Sequence, residues 1–241
     1  MSLTSWGLRE MLVATVACLL MSAAIGMGAS LLEMPWLRLL FIPLGLVLLW
    51  VFWFFRDPSR TIPAEPGLVV SPADGVVTHL DFADEPDFIG GNAARCSIFL
   101  SVFNVHLNRA PYSGKVEFLK FRKGSFFDAR LEESLTKNQN QDMGIAGDDP
   151  ELPSKALVRQ STGAIARNIV CPVEPGRVLS RGERYGMIKF GSRTTLFLSP
   201  DMEIEWKVKV GDKVKAGETV LAVSVVKQRG APDRVGDTSA V

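Results

Sequence analysis

The chain is poor in the residues that make metal centres and disulfide frameworks. Of its 241 residues three are cysteine (Cys18, Cys96, Cys171) and two are histidine (His79, His106). An odd, scattered set of cysteines with no metal-ligand spacing argues against a disulfide scaffold and a zinc site, and fits a reducing compartment. Net charge is only +1, so nothing in the global balance points to nucleic acid. The chain has no strict internal repeat, no Gly-x-Ser-x-Gly nucleophile elbow and no Met-Lys-Met turn of the carrier type.

Charge is missing altogether from two stretches. Met11 to Leu32 is uncharged, and Leu39 to Phe55 follows after a short connection holding Glu33 and Arg38. A bilayer core takes roughly 20 apolar residues as a helix. The first run meets this directly, and the second does so from about residue 35 if Arg38 snorkels to the interface. A secretory leader has a shorter apolar region and no second run behind it. Two membrane helices, about 11–32 and 35–55, are therefore expected as a tight hairpin within residues 1–56. Arg9 precedes the first run and Arg56 and Arg60 follow the second, which places both ends and the remaining chain on the cytoplasmic face. Trp36, Trp50, Trp53 and the Phe54-Phe55 pair read as interfacial anchors.

From Asp57 the texture is that of a mainly β domain extending to about residue 227. Proline breaks the helix at Pro58, Pro63 and Pro66. Short strand-like runs then alternate with turns such as Pro72-Ala73-Asp74-Gly75 and Pro111-Tyr112-Ser113-Gly114. Ser97 to Val105 reads as one long strand. Val208 to Val223 is a two-strand unit resembling the flattened, hairpin-rich barrels or sandwiches of biotinyl and lipoyl domains. Leu131 and Leu135 among charges suggest one short surface helix within 127–142. Residues 228–241 read as a disordered tail.

Lys189-Phe190-Gly191-Ser192-Arg193 separates two strand-like runs, Tyr185 to Phe190 and Thr194 to Leu198. A Gly-Ser pair there marks a tight turn, by itself an ordinary bulge. Its hydroxyl can attack a substrate carbonyl or the carbonyl of Gly191. Asp74 in its Asp-Gly turn and His106 supply an acid and a base; with Ser192 they form a set able to activate a hydroxyl, the carboxylate orienting the imidazole. His79 reads as structural.

Several segments then occur in a telling order: Phe55-Arg56-Asp57-Pro58, Ser71-Pro72-Ala73-Asp74-Gly75, the nine residues Phe103 to Pro111 around His106, Lys123 to Phe127, Lys137-Asn138-Gln139-Asn140, and Phe190-Gly191-Ser192-Arg193. Together they resemble the phosphatidylserine decarboxylase family, in its short, archaeal-type branch, from Phe55 to about Val223. The resemblance implies a zymogen cleaved autocatalytically between Gly191 and Ser192 into a β chain 1–191 and an α chain 192–241, forming a β/α heterodimer able to dimerise further. Ser192 would become a covalent pyruvoyl group, with no metal, and form a Schiff base with phosphatidylserine in the membrane. Asp74 and His106 would assist maturation, and His106 would protonate the carbanion left by CO2. Asn138 and Asn140 would contact the headgroup. An electrophilic cofactor is what losing CO2 from an amino acid demands, because no ordinary side chain absorbs the electron pair.

Three other readings use the same residues. A membrane-anchored serine hydrolase would keep one chain and need an oxyanion hole. A non-catalytic, carrier-like adaptor barrel would be indifferent to Ser192→Ala. A soluble pyruvoyl amino-acid decarboxylase conflicts with the two apolar runs.

Overall fold

A reversal at residue 33 separates two helical segments, and the chain passes from its helical part to its β part near residue 57. The computed structural model describes residues 2–225 other than 132, 148, 165 and 190, and excludes the side chains of Leu135 and Val225. Phe190 and the tail 228–241 thus lie outside the described residues.

Strand β1 (Ser2–Leu3) pairs with β2 (Arg56–Asp57), closing the hairpin at its base. Between them run α1 (Leu8–Leu31) and α2 (Phe41–Phe54). A 3-10 turn capped by Thr4, whose Oγ1 accepts from Trp6 N–H at 3.3 Å, leads into α1. Glu33 takes a positive φ of 54° to reverse the chain, and Pro35 opens a second 3-10 helix leading into α2. Both helical segments are long and apolar enough to cross a membrane, and most of their large apolar side chains face outward. Phe54 and Phe55 depart from the expected anchor role. Both are fully buried, packed with Met11, Val105, Leu107 and Met187, because α2 ends against the β domain.

The β domain begins with β3 (Leu68–Val70), β4 (Gly75–Glu85), β5 (Gly91–Leu100), β6 (Leu107–Arg109) and β7 (Gly114–Arg122). A single-turn surface helix, α3 (Ser134–Lys137), precedes β8 (Asn140–Ala146), β9 (Lys155–Ser161) and β10 (Asn168–Val170). Then come β11 (Val178–Leu179), β12 (Arg184–Lys189), β13 (Ser192–Leu198), β14 (Glu203–Trp206), β15 (Lys213–Val214) and β16 (Val220–Val225).

An eight-stranded sheet with order β11-β7-β8-β9-β13-β5-β4-β15 curls into a half-barrel. Two three-stranded sheets, β10-β12-β6 and β14-β16-β3, complete the β architecture. The main core joins side chains from these layers, among them Val69, Ile98, Tyr112, Ile145, Tyr185 and Leu221.

Two features of this topology matter for the site. The chain leaves β12 at Lys189 in a small sheet and enters β13 at Ser192 in the centre of the large one, so Gly191 stands where the chain changes sheets. The expected long strand over 97–105 stops at Leu100 instead. Asn104 Oδ1 accepts from Ser101 N–H at 2.9 Å and Ser101 Oγ–H at 2.8 Å, folding 101–104 into a turn. His106 follows this turn and precedes β6.

Candidate active site

Pairing of β6 with β12 sets Leu107 opposite Met187, and Ile188 N–H donates to the His106 carbonyl at 3.2 Å. That register carries the imidazole to the strand exit. His106 Nε2 accepts the Gly191 N–H at 3.2 Å, while Nδ1 donates to the Asn104 carbonyl at 3.0 Å. The two bonds fix a neutral ring protonated on Nδ1, with its basic nitrogen on the amide of Gly191. His106 is fully buried, and burial lowers its pKa from 6.5 to about 4 against the opposing pull of the Asn104 carbonyl; Arg56 lowers it further.

Gly191 has φ +71°, the left-handed region that glycine enters without strain. Ser192 is fully buried, and its Oγ has no hydrogen-bond partner among the described residues. A buried hydroxyl without a partner is uncommon. Here it lies on the residue whose amide nitrogen joins the Gly191 carbonyl, one position after the amide that the neutral imidazole holds. The carbonyl itself lies against Gly163, where an added Cβ would stand 2.7 Å from Gly191 O. A cavity of about 270 Å3 opens at the junction, with Gly191, Gly163 and Val102 among its lining residues.

The structure thus brings His106 to the Gly191 amide that precedes Ser192, while Asp74 is bonded elsewhere. Both Asp74 oxygens accept from Arg60 Nη2, at 3.0 and 2.8 Å, and Oδ1 also accepts the Ala216 N–H at 2.8 Å. Burial raises the Asp74 pKa, opposed by the Ala216 N–H and Arg60. The expectation that this carboxylate orients the imidazole is corrected: the Asn104 carbonyl does so, because the 101–104 turn presents it to Nδ1.

Asn138 is likewise committed. Its Oδ1 accepts from Phe127 N–H, and its Nδ2 donates to the carbonyls of Phe127 and Thr162, each at 2.8 Å. It staples the 123–139 segment to the end of β9. Asn140 is buried in β8 opposite Ser161, and neither asparagine lines the cavity at Gly191. His79 bonds Thr78 on β4, away from this site.

Three contributors escaped the sequence reading. Asn104 and Gly163 act through backbone position, which no local pattern announces. Phe54 looked like part of a membrane anchor but packs on His106.

The sequence model for phosphatidylserine decarboxylase matches residues 47–222, which include every site segment above. A phosphatidylserine decarboxylase proenzyme of Rhodopirellula baltica is 42% identical over 217 residues, spanning 90% of this chain and 85% of the relative. The proenzyme of that name from Symbiobacterium thermophilum is 45% identical over 173 residues, 72% of this chain and 78% of the relative. That from Desulfotalea psychrophila is 43% identical over 169 residues, 70% and 77% respectively. On a match of this extent, which takes in the Gly191–Ser192 junction and His106, the chain belongs to the phosphatidylserine decarboxylase family.

Proposed function

We propose that this protein is a self-cleaving, membrane-bound carboxy-lyase that converts phosphatidylserine to phosphatidylethanolamine and CO2. One observation carries the reading: the basic Nε2 of neutral His106 accepts the amide N–H of Gly191, and the next residue in the chain, Ser192, holds a buried hydroxyl with no partner among the described residues.

In the cleavage, Ser192 Oγ attacks the Gly191 carbonyl carbon while His106 Nε2, released from the Gly191 N–H, takes the hydroxyl proton. That proton passes to the Ser192 nitrogen as the C–N bond breaks, leaving Gly191 esterified to Oγ. Loss of the Ser192 Cα proton expels the Gly191 carboxylate and leaves a dehydroalanine; its hydrolysis releases ammonia and leaves a pyruvoyl group at position 192. The products are a β chain 1–191 and an α chain 192–241, held as a β/α heterodimer because β13 lies between β9 and β5 of the β chain.

The residues at the junction fit a pyruvoyl precursor: a glycine with free rotation, a buried hydroxyl and a base. Once formed, that group supplies the electrophilic carbonyl that binds the substrate amine and accepts the electron pair left by CO2. His106 is the side chain we assign to move the proton in both stages. Asp74, held by Arg60, supports maturation from the second row of residues.

Residues 1–56 act as the membrane hairpin and 57–227 as the catalytic domain. Arg9, Arg56 and Arg60 favour the cytoplasmic face of the cell membrane. Arg56 stacks on Trp53 at 3.5 Å, an interfacial pairing at the end of α2. The positive-φ turns at Gly211 and Gly217, next to β15, support kinship with biotinyl and lipoyl barrels. An adaptor barrel leaves the buried hydroxyl of Ser192 without a purpose.

The test is a denaturing mass spectrum of the purified protein beside Ser192→Ala. Two fragments split after Gly191, the smaller lighter by one ammonia than a serine-started peptide, are expected only with Ser192 present. One intact chain in both samples overturns the reading.

A further inference from the structure

The cavity at Gly191 has a second wall whose chemistry the cleavage does not use. Asp128 and Arg130, from the loop between β7 and α3, line it opposite residues of the junction. Arg130 is tied to Asp128 along one edge of its guanidinium: Nε donates at 3.1 and 3.0 Å and Nη2 at 2.5 Å. The Arg130 backbone N–H also donates to Asp128 Oδ1 at 2.9 Å. Hydrogen bonding from Arg130 holds the Asp128 carboxyl below its ordinary pKa, so the pair stays ionised. The other edge, Nη1, has no partner among the described residues, and the side chain is 71% exposed. An exposed ion pair of this kind does little for stability. What it does is hold a planar, permanently charged donor group on a residue that lines the cavity, and such a group suits a phosphate oxygen.

The rim is apolar. Phe127 is 42% exposed and Leu131 54%, on either side of the Asp128–Arg130 pair, and Phe103, next to lining residue Val102, is 65% exposed. Phe103 is also close to the membrane hairpin: its ring lies 6.4 Å from Trp53, and its carbonyl accepts from Arg56 Nη2 at 2.8 Å. The cavity, about 270 Å3, is small beside the roughly 300–1,000 Å3 of sites that enclose drug-sized ligands. It has room for a polar headgroup, and any attached chains must leave over the rim.

We propose that Arg130 binds the phosphodiester of the substrate lipid while Phe103, Phe127 and Leu131 take the first methylenes of its acyl chains. The site so built accepts a phospholipid headgroup and discriminates against free serine, which offers the amine without the phosphate or the chains. Asp128 orients the guanidinium. This assignment rests on the decarboxylase reading, and it replaces the asparagine contacts expected from the sequence.

The experiment measures CO2 release by self-cleaved protein in nonionic detergent, with dihexanoyl phosphatidylserine as substrate. Dihexanoyl phosphatidylglycerol, which carries the phosphodiester but no amine, serves as competitor, and dihexanoylglycerol as the control without phosphate. R130Q is expected to raise KM about tenfold or more with kcat within about threefold, and to weaken the phosphatidylglycerol competition by a similar factor. R130K restores part of both, and D128N, which keeps the cation, loses less than R130Q. The dihexanoylglycerol control responds equally in wild type and R130Q. Unchanged KM and competition in R130Q, or an equal loss in D128N, overturns the phosphate contact. A cleaved wild-type protein that releases no CO2 overturns the decarboxylase reading instead.

Discussion

The ring of Phe54 covers the imidazole of His106, with 4.4 Å between centroids and the planes tilted by 35°. Phe54 closes α2, so a side chain from the apolar hairpin walls in the base at the cleavage junction. Both residues are fully buried. Phe54→Ala removes that wall, at a cost of about 3–5 kcal/mol for an emptied aromatic site. The half-time of self-cleavage, followed on denaturing gels, is expected to lengthen about tenfold or more. The lower pH limit of cleavage should move up from about 4 toward 6.5 as water reaches the ring. Phe54→Leu, which refills much of the space, should stay near wild type. Equal pH profiles for Phe54→Ala and wild type would show that the hairpin is an anchor only.

Two glycines at the junction are expected to respond in opposite measure. A Cβ at Gly163 would sit 2.7 Å from the Gly191 carbonyl oxygen, which gains negative charge as Ser192 attacks. A Cβ at Gly191 meets only Val102, at 3.7 Å, and carries the penalty of φ +71° alone, about 1–2 kcal/mol. Gly163→Ala should therefore slow cleavage about a hundredfold or more, and Gly191→Ala about tenfold. Circular dichroism spectra taken alongside should show both variants folded. The reverse order of rates would mean that Gly163 does not set the position of the carbonyl.

What the sequence disclosed was what is local. The two uncharged runs became α1 and α2, and the runs flanking Gly191 became β12 and β13. The pairing of His106 with the junction was legible only as a resemblance. Its cause is the non-local register of Leu107 with Met187, about 80 positions apart in sequence, and nothing in the local pattern specifies such a register. The partners of Asp74 were hidden for the same reason. An Asp-Gly turn shows that a carboxylate is present, and only the fold shows that Arg60 and the Ala216 N–H have claimed it. Phe54 was misread because a phenylalanine at a helix end looks the same whether it meets lipid or protein.

Asn138 gives a direct contrast between a headgroup contact and a structural staple. Asn138→Ala removes three hydrogen bonds of 2.8 Å to backbone that is partly or wholly buried. At about 1 kcal/mol each, the loss is about 3 kcal/mol, concentrated in the 123–139 segment. Limited proteolysis should cut this segment faster in the variant. A raised KM with wild-type resistance to protease would restore the headgroup role.

Arg60 and Asp74 form an ion pair at 2.8 Å, with side chains only 6% and 10% exposed. Removing one partner leaves the other charge buried, which costs about 3–5 kcal/mol. Arg60→Ala should lower Tm markedly and slow maturation through Asp74, and Arg60→Ala with Asp74→Ala together should cost less than the sum of the single changes. Strict additivity in the thermal melts would rule out coupling between the pair.

The last prediction concerns acid. The pKa of His106 falls from 6.5 to about 4 on folding, so between these values the unfolded chain binds a proton that the folded chain refuses. The contribution of a depressed group is complete above its unfolded pKa and is lost as pH falls through the folded one. At 1.36 kcal/mol per pH unit the full effect is roughly 3 kcal/mol, present at pH 7, declining below about 6.5 and gone below about 4. Protonation also removes the lone pair that accepts the Gly191 N–H, so the hydrogen bond and the base vanish together. Denaturant melts of Ser192→Ala, which keeps the chain whole, should show this decline, and the same melts of Ser192→Ala with His106→Phe should show a shallower one. Self-cleavage of wild type should stay level from about pH 5 to 8 and fail near 4. Failure already at pH 6 to 7 would mean that His106 titrates as an exposed imidazole, with Phe54 no barrier to water.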